Sequence, residues 1–134
     1  MNLGNKPHPT TIDEAIEILF SSLEADDIAF IKDPESSSVS LHFTVGMGLR
    51  NYWHLWAEES PIKDDFKKRF NLFGHADDMS GMILDAVWAK VRGEDVDKVI
   101  KIAADGFNAH WMNIGVDPYT GKPRDNEDEL TGSD

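Results

Sequence analysis

The sequence predicts an all-α protein, a single small helical bundle of about five helices with a flexible acidic C-terminal tail. Three observations predict it. Apolar residues recur with a period of about 3.6 through most of the chain. Helix start and stop signals bracket those runs. The one alternating stretch, residues 39–45, finds no partner strand elsewhere. With 134 residues, 40% of them hydrophobic, and seven Phe and four Trp, one core can form without a metal or a staple. There is no cysteine, so disulfides, thiolate zinc sites and cysteine nucleophiles are excluded, and a reducing cytoplasmic setting fits.

The elements follow in order. Residues 1–10 form an N-terminal arm with no apolar run and no signal peptide. Residues 11–115 form the helical domain. It opens on TIDE, a capping box in which Thr11 accepts a backbone N–H and Glu14 reaches back. Ile12, Ala15, Ile16, Leu19, Phe20 and Leu23 then make a helical stripe. A short turn of helix in DDIAFIK ends at Asp33-Pro34, because the residue before proline avoids the α region.

The next segment, LHFTVGMGLRNYWHLW, is ambiguous. Val39, Leu41, Phe43 and Val45 alternate as in a strand, whereas Leu41, Val45, Gly48, Leu49, Tyr52 and Trp56 fit a helix. A helix through Trp56 is preferred because its pattern covers more residues, although Gly46 and Gly48 each weaken it by about 1 kcal/mol. A charged connector then holds a short helix with Ile62, Phe66 and Phe70 inward. HADDMSGMILDAVWAKVRG is another helix, with Asp77 and Asp78 in its first turn and Gly93 as its stop. Trp88 falls opposite the Met79, Met82, Ile83, Ala86 and Val87 stripe, under a loop or on a contact surface. A last helix runs from about Glu94 to Asn113, with Gly115 beyond it. Residues 116–134 lose all periodicity and read as the acidic tail.

The formal net charge is −12. Such a chain repels phosphate backbones and acidic bilayers, so neither direct nucleic acid nor membrane binding is expected. A protein partner would be basic. No stretch is long and apolar enough for a membrane span.

The polar residues inside LHFTVGMGLRNYWHLW carry the functional question. Apolar side chains surround that segment, and a helix apolar on all sides is buried. A guanidinium cannot shed its proton, so a buried Arg50 needs an anionic partner. Asp77 and Asp78 are the internal candidates, with Asp78 favoured. His75 can cap their helix or join the network. On this reading Arg50→Ala costs several kcal/mol. The alternative is a ligand site. Arg50, Asn51, His42 and His75, beside Trp53 and Trp56, can hold a small anionic ligand such as a phosphate or a carboxylate, or else a nucleotide base. No metal or cofactor is expected, since His-x-Asp-Asp matches no strong ligand spacing. No catalytic residue is assigned: the serines form no nucleophile elbow and GMG is no phosphate loop.

LHFTVGMGLRNYWHLW followed by GHADDMSGMIL resembles a bacterial and phage family of unknown function. Its members show HFGxGMxIRNxWxLW, then HPDDMSxxIL, and begin with a TIEEA-like helix. The likeness runs from about Thr11 to Gly93. Thr44 stands where a glycine is common and Ala76 where a proline is common. The resemblance groups His42, Arg50, Asn51, Trp53, Trp56, His75, Asp77, Asp78 and Ser80, and brings no activity with it. The expected function is a small acidic binding or regulatory protein without catalysis, such as an inhibitor, immunity-type or anti-defence protein. The alternative is a nucleotide or phosphometabolite sponge, or a hydrolase using the Arg/His/Asp cluster.

Overall fold

A computed structural model describes residues 7–41 and 47–124, the side chains at 40, 41 and 47 excepted. The chain is all-α. In order come α1 (Ile12–Ser22), α2 (Ala25–Lys32), α3 (Ser38–Leu41), α4 (Met47–Tyr52), α5 (Pro61–Phe70), α6 (Ala76–Arg92) and α7 (Val96–Asn113). Among the described residues no strand forms, only an isolated antiparallel bridge between Val116 and Pro123.

Helix α6 is the axis, and α1, α2, α3, α4 and α7 all pack on it. Its sequence shows why. From Ala76 to Ala89 every side chain but Asp77, Asp78 and Asp85 is buried, so it has no solvent face to spare. Trp88, expected opposite the stripe, is buried under α2, edge-on to Phe30 with centroids 6.1 Å apart. The Arg92 guanidinium lies over the same indole at 4.9 Å. Its Nε donates to the Ile31 carbonyl and its Nη2 to the Asp33 carbonyl, both at 2.8 Å, closing the end of α2. The core is completed by Ile12, Ala15 and Leu19 of α1, Leu49 of α4, and Ile62 and Phe66 of α5. Helix α7 buries only Ile100 and Ala104 fully, and leaves Ile102 and Met112 exposed.

Helix ends follow local chemistry. Thr11 Oγ1 accepts the Glu14 N–H at 3.0 Å, but the Glu14 carboxylate reaches past Thr11 to the N–H and hydroxyl of Thr10. The first N–H of α1 is met instead by Asp65 of α5, with Ile12 N donating to Oδ2 at 2.8 Å. Gly93 and Gly115 end α6 and α7 with φ of 74° and 80°. In both, the next residue's N–H folds back, Glu94 to the Ala89 carbonyl and Val116 to the Trp111 carbonyl, each at 2.9 Å.

Two expectations change. The helix expected through Trp56 stops at Tyr52. The chain beyond Gly115 does not leave the body at once. Phe73 N donates to the Pro118 carbonyl at 2.7 Å, Arg124 N to the Gly115 carbonyl at 2.7 Å, and Lys67 Nζ sits 4.2 Å from the Tyr119 ring centroid. Residues 116–124 lack a stripe, yet turn-forming Asp117, Pro118 and Gly121 (φ 73°) close them into a loop against α5 and the Phe73 segment that follows it. The aperiodic tail therefore has a docked beginning.

Candidate functional site

The turn after α4 sets the geometry. His54 takes a left-handed conformation, φ 53°, although it is not glycine. Its N–H donates to the Asn51 carbonyl at 3.3 Å, and the Leu55 N–H donates to the Arg50 carbonyl at 2.9 Å. Those two bonds are a Schellman ending, usually built on glycine. Leu55 is drawn fully into the core beside Leu49, and that burial offsets the strain at His54. The reversal throws Trp56 outward, where it is 54% exposed. Trp56 Nε1 donates to Asn51 Oδ1 at 3.1 Å, which fixes the indole on the turn.

Beneath that turn lies the expected arginine network. Arg50 is 15% exposed at its side chain, and its Nε stands 3.1 Å from Asp77 Oδ1. The N–H is not aligned on the oxygen, so the contact is an ion pair without a formed hydrogen bond. Arg50 Nη1 donates to Ser80 Oγ at 3.0 Å, and Ser80 Oγ donates to the Asp77 carbonyl at 3.1 Å. The guanidinium carbon is 5.8 Å from the Trp56 ring centroid. His75 caps α6, its Nδ1 accepting the Asp77 N–H at 3.2 Å. Arg50, Asn51, Trp56, His75, Asp77 and Ser80 therefore form one contiguous cluster.

Asp78 was the favoured partner of Arg50, and the structure corrects this to Asp77. Adjacent positions on a helix point about 100° apart, so the two carboxylates cannot serve one guanidinium equally. Asp78 faces α7, where it accepts the Trp111 Nε1 hydrogen at 2.7 Å. Burial raises the Asp78 carboxyl above its ordinary value. The Trp111 hydrogen bond and the nearby His75 and His110 pull the other way, and Asp77 adds to the rise. The Trp111 ring also packs on Phe73 and His75, with centroids 5.1 and 5.2 Å away.

Trp53 does not join the cluster. It is buried in the core, and its Nε1 has no acceptor among the described residues. His42 lies outside the described residues. Sequence reasoning missed Trp111, whose place in an apolar stripe reads as packing alone. It also missed Arg92, though cations in the last turn before a stop glycine, here Lys90 and Arg92, are a signal for carbonyl capping. Among the described residues, no three His, Asp or Glu side chains converge as a metal ion would need. No helix among them is long and apolar enough to cross a membrane.

Fold and cluster together define a small helical domain whose polar motif residues brace its central helix. A family model described as Domain of unknown function (DUF6794) matches residues 8–91, more than half of the chain. The chain belongs to that family. The match covers α1 to α5 and nearly all of α6, and stops before α7. No curated protein and no solved structure matches the chain.

Proposed function

We propose that the protein is a small non-catalytic binding or regulatory protein, and that its contact face is the turn bearing Tyr52 and Trp56. One observation carries this reading. Among the described residues, the candidate polar side chains are engaged within the protein, and Arg50 and Asn51 hold up an exposed indole. Arg50 pairs with Asp77 and Ser80, His75 caps α6, and Asp78 binds Trp111. A ligand anion at Arg50 would have to displace Asp77. Trp56 and Tyr52, by contrast, are large amphipathic side chains held out from a braced turn. Pinned, solvent-facing aromatics of this kind lose little entropy on contact and dominate protein interfaces.

Site-specific photocrosslinking tests it. A photoreactive residue at position 56 should trap a discrete partner in the native host, and one at exposed Asp26 should not. The competing reading, a nucleotide or phosphometabolite site on the Arg/His/Asp cluster, predicts a rise in melting temperature with nucleotides or inorganic phosphate. Such a rise, abolished by Arg50→Ala, would replace the binding-protein reading.

A further inference from the structure

Beside the Trp56 turn, and separate from the arginine cluster, lies a cavity of about 380 Å³. Pro9, Trp53, Ala57 and Pro61 line it, and His54 and Glu59 stand among its walls. Its floor is apolar and braced. Pro9 and Trp53 are buried, and the His8 ring at its edge packs on His54 and Tyr52 with centroids 5.7 and 5.2 Å away. The volume is large enough for one bulky side chain and sits at the small end of the usual range for ligand pockets.

Carboxylates outnumber lysine and arginine side chains around it, and the His8 and His54 rings line it as well. Glu59 lies at the cavity and its neighbour Glu58 is exposed. Thr10 also lines the cavity, and its hydroxyl is shared between both oxygens of the exposed Glu14 carboxylate, at 3.1 and 3.0 Å. The nearby cation is Lys63, and its Nζ is turned to the Trp56 carbonyl at 3.4 Å. A largely apolar hole with Glu59 in its lining, and Glu58 and Glu14 one residue or one hydrogen bond beyond, on a chain of net charge −12, suits an apolar residue delivered by a basic segment.

We propose that this cavity receives one large apolar side chain from a lysine- or arginine-rich segment of a partner protein, with the Glu14, Glu58 and Glu59 carboxylates meeting the flanking cations. The proposal deepens the binding-protein reading and rests on it. Apolar burial supplies affinity, and the carboxylates supply orientation and exclude acidic or nucleic-acid competitors.

The test uses the full chain and three fluorescent pentapeptides: Lys-Lys-Phe-Lys-Lys, the same with glycine at its centre, and Glu-Glu-Phe-Glu-Glu. Polarisation should show saturable binding of the first, at least about tenfold tighter than the other two, as burial of a Phe ring requires. Ala57→Trp, which fills the cavity, and Glu59→Lys, which reverses its lip, should each weaken binding by about tenfold or more while melting as the wild type does. Equal binding of the Phe- and Gly-centred basic peptides would reduce the effect to bulk charge and overturn the proposal. So would no binding, or binding indifferent to Ala57→Trp. A dimer in sedimentation that Ala57→Trp dissociates would give the cavity to a second copy and overturn it as well. If the peptides fail while position 56 still crosslinks a partner, the binding-protein reading stands without this site.

Discussion

Arg50 answers to two partners of unequal burial, and this governs what its loss should do. Asp77 is 59% exposed at its side chain, so it stays hydrated when Arg50 is removed and no buried charge is stranded. The several-kcal/mol penalty of a fully buried pair does not apply. Arg50→Ala should cost about 1–3 kcal/mol, mainly the Ser80 hydrogen bond and the packing under Trp56. Arg50→Lys should recover part of this, because an ammonium cannot reach Ser80 and Asp77 as a fork does. Asp77→Ala should cost less than about 1 kcal/mol. Urea melts read all three, and a larger effect from Asp77→Ala than from Arg50→Ala would invert the picture. Asp78 behaves oppositely to a salt-bridged acid. Its folded-state pKa is raised, so its favourable contribution is full below the ordinary carboxylate pKa and is lost as pH rises through the folded value. Asp78→Asn keeps an oxygen for Trp111 and removes the buried charge. The gap between mutant and wild-type stability should favour the mutant most at neutral pH, and shrink as pH falls through the carboxylate range. A gap that grows on acidification would refute it.

At the scale of elements, four helices end in left-handed residues, two of them not glycine: His54 after α4 and Asn71 after α5. Asparagine and histidine enter that region more often than most residues, but glycine alone does so without cost. His54→Gly should therefore stabilise the fold by about 0.5–1 kcal/mol, less whatever the His8 ring contact contributes. A destabilised His54→Gly in thermal melts would mean that the imidazole contacts outweigh the backbone strain. The docked loop after α7 makes a second prediction. A chain ending at Arg124 keeps every bond described for the loop, and its melting temperature should stay within about two degrees of the full chain. A chain ending at Thr120 loses the Gly121 N–H to Asp117 carbonyl bond, the Asp117 N–H to Lys122 carbonyl bond and the Arg124 N–H to Gly115 carbonyl bond. It also loses Gly121, which packs so closely on Phe73 that an added Cβ would stand 2.4 Å from that ring. Its melting temperature should fall by several degrees.

For the whole molecule the net charge is the governing quantity. A charge of −12 on 134 residues repels itself, and screening relieves that repulsion. Stability should rise between about 20 and 200 mM salt, over which the Debye length shrinks roughly threefold. Surface pairs such as Lys90–Glu17 at 2.8 Å and Arg69–Asp13 at 3.0 Å oppose the trend only weakly, since exposed pairs are worth little. Binding of the Lys-Lys-Phe-Lys-Lys peptide proposed above should weaken over the same range, in calorimetric titrations. A protein that melts lower with added salt would owe more to its ion pairs than to its net charge.

The sequence by itself determined the helical class, the order of the elements and most of their ends. Those are local properties: the apolar period of α1 and α6, the proline after α2, and the glycines after α6 and α7 act within a few residues of where they stand. It also singled out Arg50 as an ion seeking an acid, because a guanidinium has no neutral form. What it left undecided depended on neighbours far along the chain. Nothing local told Asp77 from Asp78; the packing angle of α4 and α7 against α6 sent one carboxylate to Arg50 and the other to Trp111. Helical propensity ran on through Trp56, but burial of Leu55 outweighed the strain at His54 and stopped the helix at Tyr52. The docked loop at 116–124 has no stripe to betray it, because its hold comes from backbone hydrogen bonds and one close glycine rather than from a face of apolar side chains. Periodicity can be read one residue after another. Which of two adjacent side chains finds its partner is decided only when the helices pack.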